Sequence, residues 1–257
     1  MNGTGEIMDI KYKRVLIKLS GEAVYGNDIA EYDADGKVKS VPVIDRAKLD
    51  RICREIKRVV DLGVEVGIVF GGGNIWRGGR LGEGFDRTRA DHMGMLATVI
   101  NSIALSETLE HVGVRTRVMS SVDMPQFCEP YIKARAVRYL EKKRVVIFAG
   151  GTGISHMTTD TTSVLRGVEI DADVVMLAKN IDAIYTADPR IDPTAERIPQ
   201  IDYSEILAKG LKVIDATATA YAMENNMPLL LFGLDNPENI YTAITGGKTG
   251  TTVEKLN

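Results

Sequence analysis

The chain has 257 residues, of which 44% are hydrophobic and 26% are charged, and Cys53 and Cys128 are its only cysteines. This composition is typical of a folded globular protein and argues against a disordered or disulfide-stapled chain. The formal net charge of -3 lacks the basic excess of nucleic-acid-binding domains, so we expect no nucleic-acid partner. A polar start, 1–14, and the lack of an apolar run of roughly 20 residues predict a cytoplasmic protein that does not enter a membrane.

Six short apolar runs are typical of buried β-strands. They lie at 15–17, 64–70, 114–118, 144–148, 174–177 and 229–232. Between them, two sets of apolar side chains recur at helical spacing and predict amphipathic helices. The first set is Leu49, Ile52, Cys53, Ile56, Val59 and Val60, and the second is Met93, Leu96, Ile100 and Ile103. This alternation predicts an α/β fold with a mainly parallel sheet covered by helices, in a single domain over 1–257.

Two segments lack a regular spacing of apolar residues. Residues 22–42 are rich in Gly and Asp and predict a mobile loop after the first strand. Residues 182–201 contain three prolines and predict a hairpin followed by a loop.

Glycines follow three of the predicted strands, at 18–22, 71–74 and 150–153. In an open parallel sheet, ligands bind beyond the carboxyl ends of the strands. Glycine lets backbone N–H groups approach a phosphate, although any one of these loops could be only a tight turn. Together they favour a site for a long anionic ligand. A nicotinamide-dependent oxidoreductase is disfavoured, because His156 occupies the place of the third glycine in the dinucleotide fingerprint.

Four motifs in chain order resemble those of the bacterial UMP kinase family, within the amino-acid kinase superfamily. They lie at 18–22, 71–78, 91–98 and 186–189, and the match runs from about residue 12 to 250–253. The resemblance implies a three-layer αβα sandwich, a homohexamer, and transfer of a phosphoryl group from Mg-ATP to UMP. It also implies GTP and UTP as effectors. Residues from about 12 to 170 would mainly bind the acceptor, and residues 171–257 would mainly bind ATP.

The resemblance also implies roles for individual residues. Lys18 and Asp160 would be catalytic. The UMP site would contain Gly72, Arg77, Asp91, Thr152, Gly153, Ile154, Ser155, His156, Met157, Thr158 and Thr159. The ATP site would contain Lys18, Leu19, Ser20, Gly21, Gly73, Arg77, Asn180, Tyr185 and Asp188. The sequence assigns no protein ligand to the Mg²⁺ ion, and nothing near His92 or His111 has metal-ligand spacing.

Local chemistry leaves alternatives open for several of these residues. Lys18 suits the bridging of donor and acceptor phosphates, or it is a surface lysine beside an edge strand. Asp91 would hold the ribose of UMP or would be the N-cap of a helix. Residues 158–160 would contact phosphate at a helix start or would only cap that helix. Tyr185 would contact ATP or would pack on the sheet in a hairpin.

One departure from the family pattern lies at 154–157, where an apolar pair, often Pro with an aromatic residue, is usual. This chain has Ile-Ser-His-Met there. His156 would be either a pH-sensitive phosphate contact or a solvated loop histidine.

Two rival functions remain. One is a kinase of the same superfamily that acts on an acylated amino acid, aspartate or carbamate. The other is a nucleotide-binding storage or regulatory protein that has lost catalysis.

Overall fold

The computed structural model of the chain describes residues 10–25, 43–76, 84–187, 189 and 191–256. Its strands are β1 (Arg14–Leu19), β2 (Glu65–Phe70), β3 (Thr116–Ser120), β4 (Glu129–Pro130), β5 (Val145–Ala149), β6 (Val174–Lys179), β7 (Ile184–Tyr185), β8 (Arg197–Ile198), β9 (Gln200–Ile201), β10 (Leu229–Gly233) and β11 (Thr251–Val253). The α-helices are α1 (Arg46–Asp61), α2 (Arg87–His111), α3 (Lys133–Glu141), α4 (Thr159–Glu169), α5 (Tyr203–Lys209), α6 (Ala216–Glu224) and α7 (Asn239–Ile244). A 3₁₀ helix, Gly21–Val24, follows β1.

Nine strands form one sheet in the order β4-β3-β5-β2-β1-β6-β10-β11-β9. Every neighbouring pair is parallel except β10 and β11. The central strands are buried on both faces, which explains why their sequences are continuous apolar runs.

Helices cover both faces of this sheet. One core cluster joins α1, α2 and α7 to β1 residues Val15, Ile17 and Leu19. The other joins α3, α4, α5 and α6 to the opposite face, which includes Leu16. Since side chains alternate along a strand, Lys18 lies on the same face as Leu16, under α4. The predicted α/β class and three-layer αβα sandwich are confirmed.

Aspartate or threonine N-caps fix the start of most helices. The side chains of Asp45, Asp86, Thr158, Asp202 and Asp215 accept hydrogen bonds from backbone N–H groups in the first turns of α1, α2, α4, α5 and α6. Such caps satisfy N–H groups that have no partner within the helix.

The six predicted strands are confirmed to within a few residues. The short strands β4 and β9 at the two edges of the sheet, and β11 next to β9, give no comparable apolar signal, so the sequence did not predict them. The hairpin predicted in 182–201 is confirmed, because β7 and β8 pair antiparallel. The end of that segment instead forms β9, which pairs with β11 in the main sheet. Of the predicted loop at 22–42, residues 26–42 lie outside the described residues, and its start belongs to the 3₁₀ helix.

Helix α1 buries its predicted stripe, except that Val60 is only partly buried. For α2, the predicted core stripe is wrong. Met93, Leu96, Ile100 and Ile103 are 36%, 54%, 52% and 42% exposed. The helix instead buries a face of mainly small or polar residues, including Ala90, Ala97, Thr98, Asn101 and Ser102, with Leu105 and Leu109. Because much of the buried face of α2 is small or polar, the spacing of its large apolar residues indicates the exposed side and not the side that packs on the sheet.

Within the described ranges, no helix combines the length and apolar character that crossing a lipid bilayer requires.

Candidate active site

Two cavities open at the carboxyl edge of the sheet and meet above β1. The first, of about 530 Å³, lies among the glycine loops after β1, β2 and β5 and the start of α2. The second, of about 1310 Å³, lies beyond β6 and extends to α5 and the start of α6. Their shared lining residues are Lys18, Ser20, Glu22, Thr158 and Thr159. A ligand in either cavity therefore reaches the same central residues.

A buried carboxylate with two lysines lies at this junction. The Nζ atom of Lys18, on β1, is 3.3 Å from Oδ1 of Asp160, and the Nζ atom of Lys179, on β6, is 2.5 Å from Oδ2. The side chains are 9%, 11% and 16% exposed for Lys18, Asp160 and Lys179. Since β1 and β6 are parallel neighbours, their carboxyl ends bring both ammonium groups to one carboxylate.

The first turn of α4 holds Asp160 in this position. The Thr158 side chain accepts hydrogen bonds from the backbone N–H groups of Asp160 and Thr161, and it also bonds the Asp215 carboxylate. Further along α4, Gly167 packs directly on Val175 of β6, where a β-carbon would collide with the valine side chain. The missing side chain lets α4 lie close to the sheet, so Asp160 can reach both lysines.

The two lysines control the charge of Asp160. Burial alone would raise the pKa of this carboxyl. The positive charges of Lys18 and Lys179 outweigh the burial and hold the pKa below its usual value. Asp160 is therefore ionised at neutral pH, and the three groups together carry a net positive charge suited to an anionic ligand.

Close packing shapes the glycine loops of the first cavity. A β-carbon on Gly21 would lie 2.6 Å from both Asn74 Oδ1 and the Gly71 carbonyl oxygen, so only glycine fits there. Asn101, on α2, donates from Nδ2 to the Gly71 carbonyl at 2.7 Å. Ser121 donates to the Gly151 carbonyl at 2.8 Å. These contacts fix backbone N–H groups around the cavity before a ligand arrives.

Asp91 lines the first cavity from the second turn of α2. The N-cap interpretation of Asp91 is wrong, because the helix begins at Arg87 and Asp86 is its N-cap. The Asp91 carboxylate instead accepts a hydrogen bond of 2.7 Å from the backbone N–H of His156 and pairs with Arg87 at 3.1 Å. It therefore ties α2 to the loop before α4.

A family model described as the amino acid kinase family matches residues 13–233 of the chain. The chain belongs to this family. Among solved structures, it is similar to UMP kinase from Bacillus anthracis, with 36% identity, a TM-score of 0.85, and coverage of 95% of this chain and 96% of that chain. The UMP kinase from Ureaplasma parvum gives 34% identity, a TM-score of 0.85, and coverage of 96% and 100%. Uridylate kinase from Archaeoglobus fulgidus gives 24% identity, a TM-score of 0.66, and coverage of 93% and 99%, and this likeness supports the fold alone.

The structure brings together most of the residues that the sequence predicted for this amino acid kinase site. The first cavity is lined by Lys18, Ser20, Gly21, Gly72, Gly73, Asp91, Thr152, Ile154, Met157, Thr158 and Thr159. The second is lined by Lys18, Ser20, Thr158, Thr159, Asp160, Asn180 and Tyr185. Two predicted residues, Arg77 and Asp188, lie outside the described residues.

Four predicted residues among those described line neither cavity: Leu19, Gly153, Ser155 and His156. The Leu19 side chain is fully buried in the core on the opposite face of the sheet, so only its backbone faces the site. His156 has a positive φ of 66° and an exposed side chain, and its backbone N–H, not its imidazole, contacts Asp91. The positions of Asn180 and Tyr185 are fixed by hydrogen bonds to Glu22 and Asp182, respectively.

Sequence reasoning missed two residues of the second cavity, Lys179 and Asp215. Lys179 ends an apolar strand run at the ligand edge of the sheet, as Lys18 does, but no glycine motif follows it. Asp215 precedes α6 as its N-cap, and its carboxylate also accepts hydrogen bonds from the hydroxyl groups of Thr158 and Thr161. Only the fold shows that this cap lies beside the start of α4.

Proposed function

We propose that the protein is a UMP kinase, which transfers the γ-phosphoryl group of Mg-ATP to UMP and forms UDP and ADP. The observation that carries this proposal is the pair of cavities that meet at Lys18, whose ammonium is paired with Asp160. The similarity to two proteins named UMP kinase, at 34–36% identity over nearly the whole chain, supports the choice of UMP as acceptor. In this role the protein acts in the cytoplasm, in pyrimidine nucleotide biosynthesis leading to UTP.

The two cavities take different substrates in this proposal. The first binds UMP, with Asp91 on the ribose and the loop 150–159 around the phosphate. The second, lined by Asn180 and Tyr185, binds the adenosine part of ATP. The division into an acceptor part at about 12–170 and an ATP part at 171–257 follows from this arrangement. Arg77 and Asp188 are proposed to complete the two sites.

The proposed chemistry relies on positioning and charge neutralisation. The UMP phosphate is already an anion, so no general base is needed to create the nucleophile. Lys18 lines both cavities and neutralises charge between donor and acceptor. Asp160 orients the lysine, and the amino end of α4 adds backbone N–H groups that favour anions.

Magnesium would bind at this site while coordinated by the ATP phosphates. Such ions use one or two protein carboxylates and take their other ligands from phosphate and water. The described residues hold no cluster of three or more metal-ligating side chains, which agrees with a metal brought by the nucleotide. Glu22, Asp160 and Asp215 are carboxylates that line the second cavity, and Glu22 also lines the first. The ion would neutralise phosphate charge there.

An acceptor panel tests the proposal. With Mg-ATP, we expect ADP formation with UMP to exceed that with N-acetylglutamate, aspartate, carbamate or AMP by at least 100-fold in kcat/KM, on the order expected when buried polar groups are left unpaired. An amino-acid or carbamate acceptor that gave the highest kcat/KM would replace UMP as substrate. ATP binding without transfer to any acceptor would favour a storage or regulatory protein.

The exposed face of α2 supports a further proposal, a homohexamer as implied by the family resemblance. Met93, Leu96, Ile100 and Ile103 form an apolar stripe along one side of this helix. Contiguous exposed apolar surface of this kind is typical of protein–protein contacts. We expect Leu96→Glu combined with Ile100→Glu to lower the mass measured by light scattering, while an unchanged hexamer mass would exclude this face as the subunit interface.

Regulation by GTP and UTP stays a prediction.

A further inference from the structure

We propose that Thr251 is a positioning residue for the nucleotide donor, because its hydroxyl group anchors the β7–β8 hairpin, whose first strand lines the second cavity. The match to the family motifs extends to 250–253, but the resemblance gives these residues no role. The inference rests on the proposed phosphotransfer function, in which the second cavity binds ATP. It adds to that function a buried side chain that lines neither cavity.

The hairpin is small and separate from the main sheet. Among the described residues, β7 and β8 pair only with each other, and each has two residues. A two-stranded hairpin is at best marginally stable on its own in water. The Ile184 side chain packs in the core, but apolar packing is not directional. Since residues 182–187 line the second cavity, the shape of its wall depends on a directional contact from outside the hairpin.

Thr251 of β11 supplies that contact. Its Oγ1 atom accepts a hydrogen bond of 2.8 Å from the Ile184 N–H and donates one of 2.5 Å to the Ile198 carbonyl oxygen. Ile184 and Ile198 lie opposite each other in the hairpin, so a single hydroxyl group bridges both strands. The Thr251 side chain is fully buried. Loss of its hydroxyl would therefore leave a buried N–H group without a partner.

The backbone of β11 holds this hydroxyl in place. Gly250 has a positive φ of 67°, and a β-carbon there would lie 1.9 Å from the Leu231 carbonyl oxygen, so only glycine fits. The next residue, Thr251, pairs with Leu231 of β10 in the antiparallel part of the main sheet. Close approach at Gly250 thus places Thr251 on a rigid sheet, and the hydroxyl transmits that position to the hairpin.

The anchor bears on the donor because Tyr185, which is proposed to contact ATP, directly follows Ile184 in β7. A hairpin that is fixed before ATP arrives does not have to be ordered on binding, and such ordering costs affinity. Without the anchor, only a fraction of the molecules would have the binding geometry, and the apparent dissociation constant would rise by the inverse of that fraction. Lys18 and Asp160 lie on other elements, so transfer from bound ATP would be unchanged.

Mg-ATP binding by Thr251→Val, measured by isothermal titration calorimetry, tests the assignment, because valine keeps the branched shape and removes the hydroxyl. We expect affinity for Mg-ATP to fall by about tenfold, on the order expected when a buried N–H loses its partner. The KM for UMP and the kcat at saturating ATP should change by less than about twofold, the pattern for lost ground-state binding of one substrate. Thr251→Ser retains the hydroxyl and should bind Mg-ATP like the parent.

Thr252→Val is the matched control, because it makes the same change at the next residue of β11, whose side chain points to the opposite face of the sheet. Its affinity for Mg-ATP should remain at the parent level. Hydrogen–deuterium exchange reads the anchor directly, since a bonded and buried N–H is protected. The Ile184 N–H should exchange slowly in the parent, Thr251→Ser and Thr252→Val, and faster in Thr251→Val.

Equal Mg-ATP affinities in Thr251→Val and the parent, or equal losses in Thr251→Val and either Thr251→Ser or Thr252→Val, would overturn the assignment. Unprotected exchange at Ile184 in the folded parent would also overturn it, and this measurement does not depend on the folding of any variant. The binding measurement needs no acceptor. A protein whose Mg-ATP affinity depended on the Thr251 hydroxyl but which phosphorylated no UMP would therefore disprove the proposed function and retain this inference.

Discussion

At each end of strand β1, a buried carboxylate from a neighbouring element pairs with two cations. At the amino end, Glu65 pairs with Arg14 at 2.7 Å and with Lys143 at 3.2 Å. At the carboxyl end, Asp160 pairs with Lys18 and Lys179. In both clusters the cations hold the pKa of the carboxyl below its usual value against the opposing effect of burial. The local charge pattern is therefore the same, and it cannot by itself distinguish a structural from a functional cluster.

The surroundings distinguish the two clusters. Arg14 also donates to the Ile170 carbonyl at 2.6 Å, so the Glu65 cluster ties β1 to β2 and to the end of α4. Neither cavity is lined by its residues. The Asp160 cluster lies where two cavities meet and where α4 begins. Charged groups with perturbed pKa values indicate a functional site when they lie beside a cleft and the amino end of a helix. They indicate a structural role when their hydrogen bonds are satisfied within the protein.

The largest expected effect is on catalysis at the carboxyl end. Lys18→Met should lower kcat by about 100-fold or more, the scale for removing a preorganised donor to the transition state. The melting temperature should change little, because Asp160 keeps Lys179 as a partner. Steady-state kinetics and thermal unfolding would measure both quantities.

Arg14→Met is the matched control for this change, because it removes the cation at the other end of the same strand. It should lower the melting temperature and leave kcat near the parent value. A variant at Arg14 that lost as much turnover as the one at Lys18 would contradict the separation of the two clusters.

A large effect on stability is expected at the amino end. Glu65→Gln should lower the free energy of unfolding by about 2 kcal/mol, less than for a fully buried pair because Lys143 is half exposed. Urea unfolding would measure it, and kcat should stay within about twofold of the parent because the residues of this cluster line neither of the two cavities of the candidate site. Unchanged stability would mean that Arg14 and Lys143 find equivalent partners elsewhere.

A smaller effect is expected in the pH dependence of stability. The folded-state pKa values of Glu65 and Asp160 are lowered, so their contributions are fully present above the unfolded-state pKa of about 4 and are lost as pH falls through the folded-state values. The parent protein should therefore lose stability as pH falls from about 5 to about 3. Glu65→Gln should lose less over the same interval, as measured by urea unfolding at each pH. If the free energies of unfolding of the parent and of Glu65→Gln changed in parallel with pH, Glu65 would have the same pKa in the folded and unfolded states.

The comparison also shows what the sequence could reveal. Lys18 and Asp160 were predicted because motifs with glycines and hydroxyl residues surround them. Lys179 ends an ordinary apolar strand, and its role depends on β6 lying beside β1, which requires the fold. The six central strands were predicted because burial on both faces makes their runs apolar. The face of α2 was assigned wrongly, since its large apolar residues are exposed and small or polar residues form much of its buried face.

The smallest effect is expected at His156, the residue that departs from the family pattern. Histidine side chains titrate near neutral pH, so an imidazole bound to the acceptor phosphate would make UMP affinity fall as pH rises. The side chain is exposed and lines neither cavity, and the backbone N–H, which a substitution retains, makes the contact with Asp91. We therefore expect His156→Phe and the parent to show the same dependence of UMP affinity on pH between about 5.5 and 8. Trp76, the only tryptophan, lines the first cavity and provides a fluorescence signal for the titrations. A pH dependence present in the parent and absent in His156→Phe would show that the imidazole turns into the cavity when UMP binds.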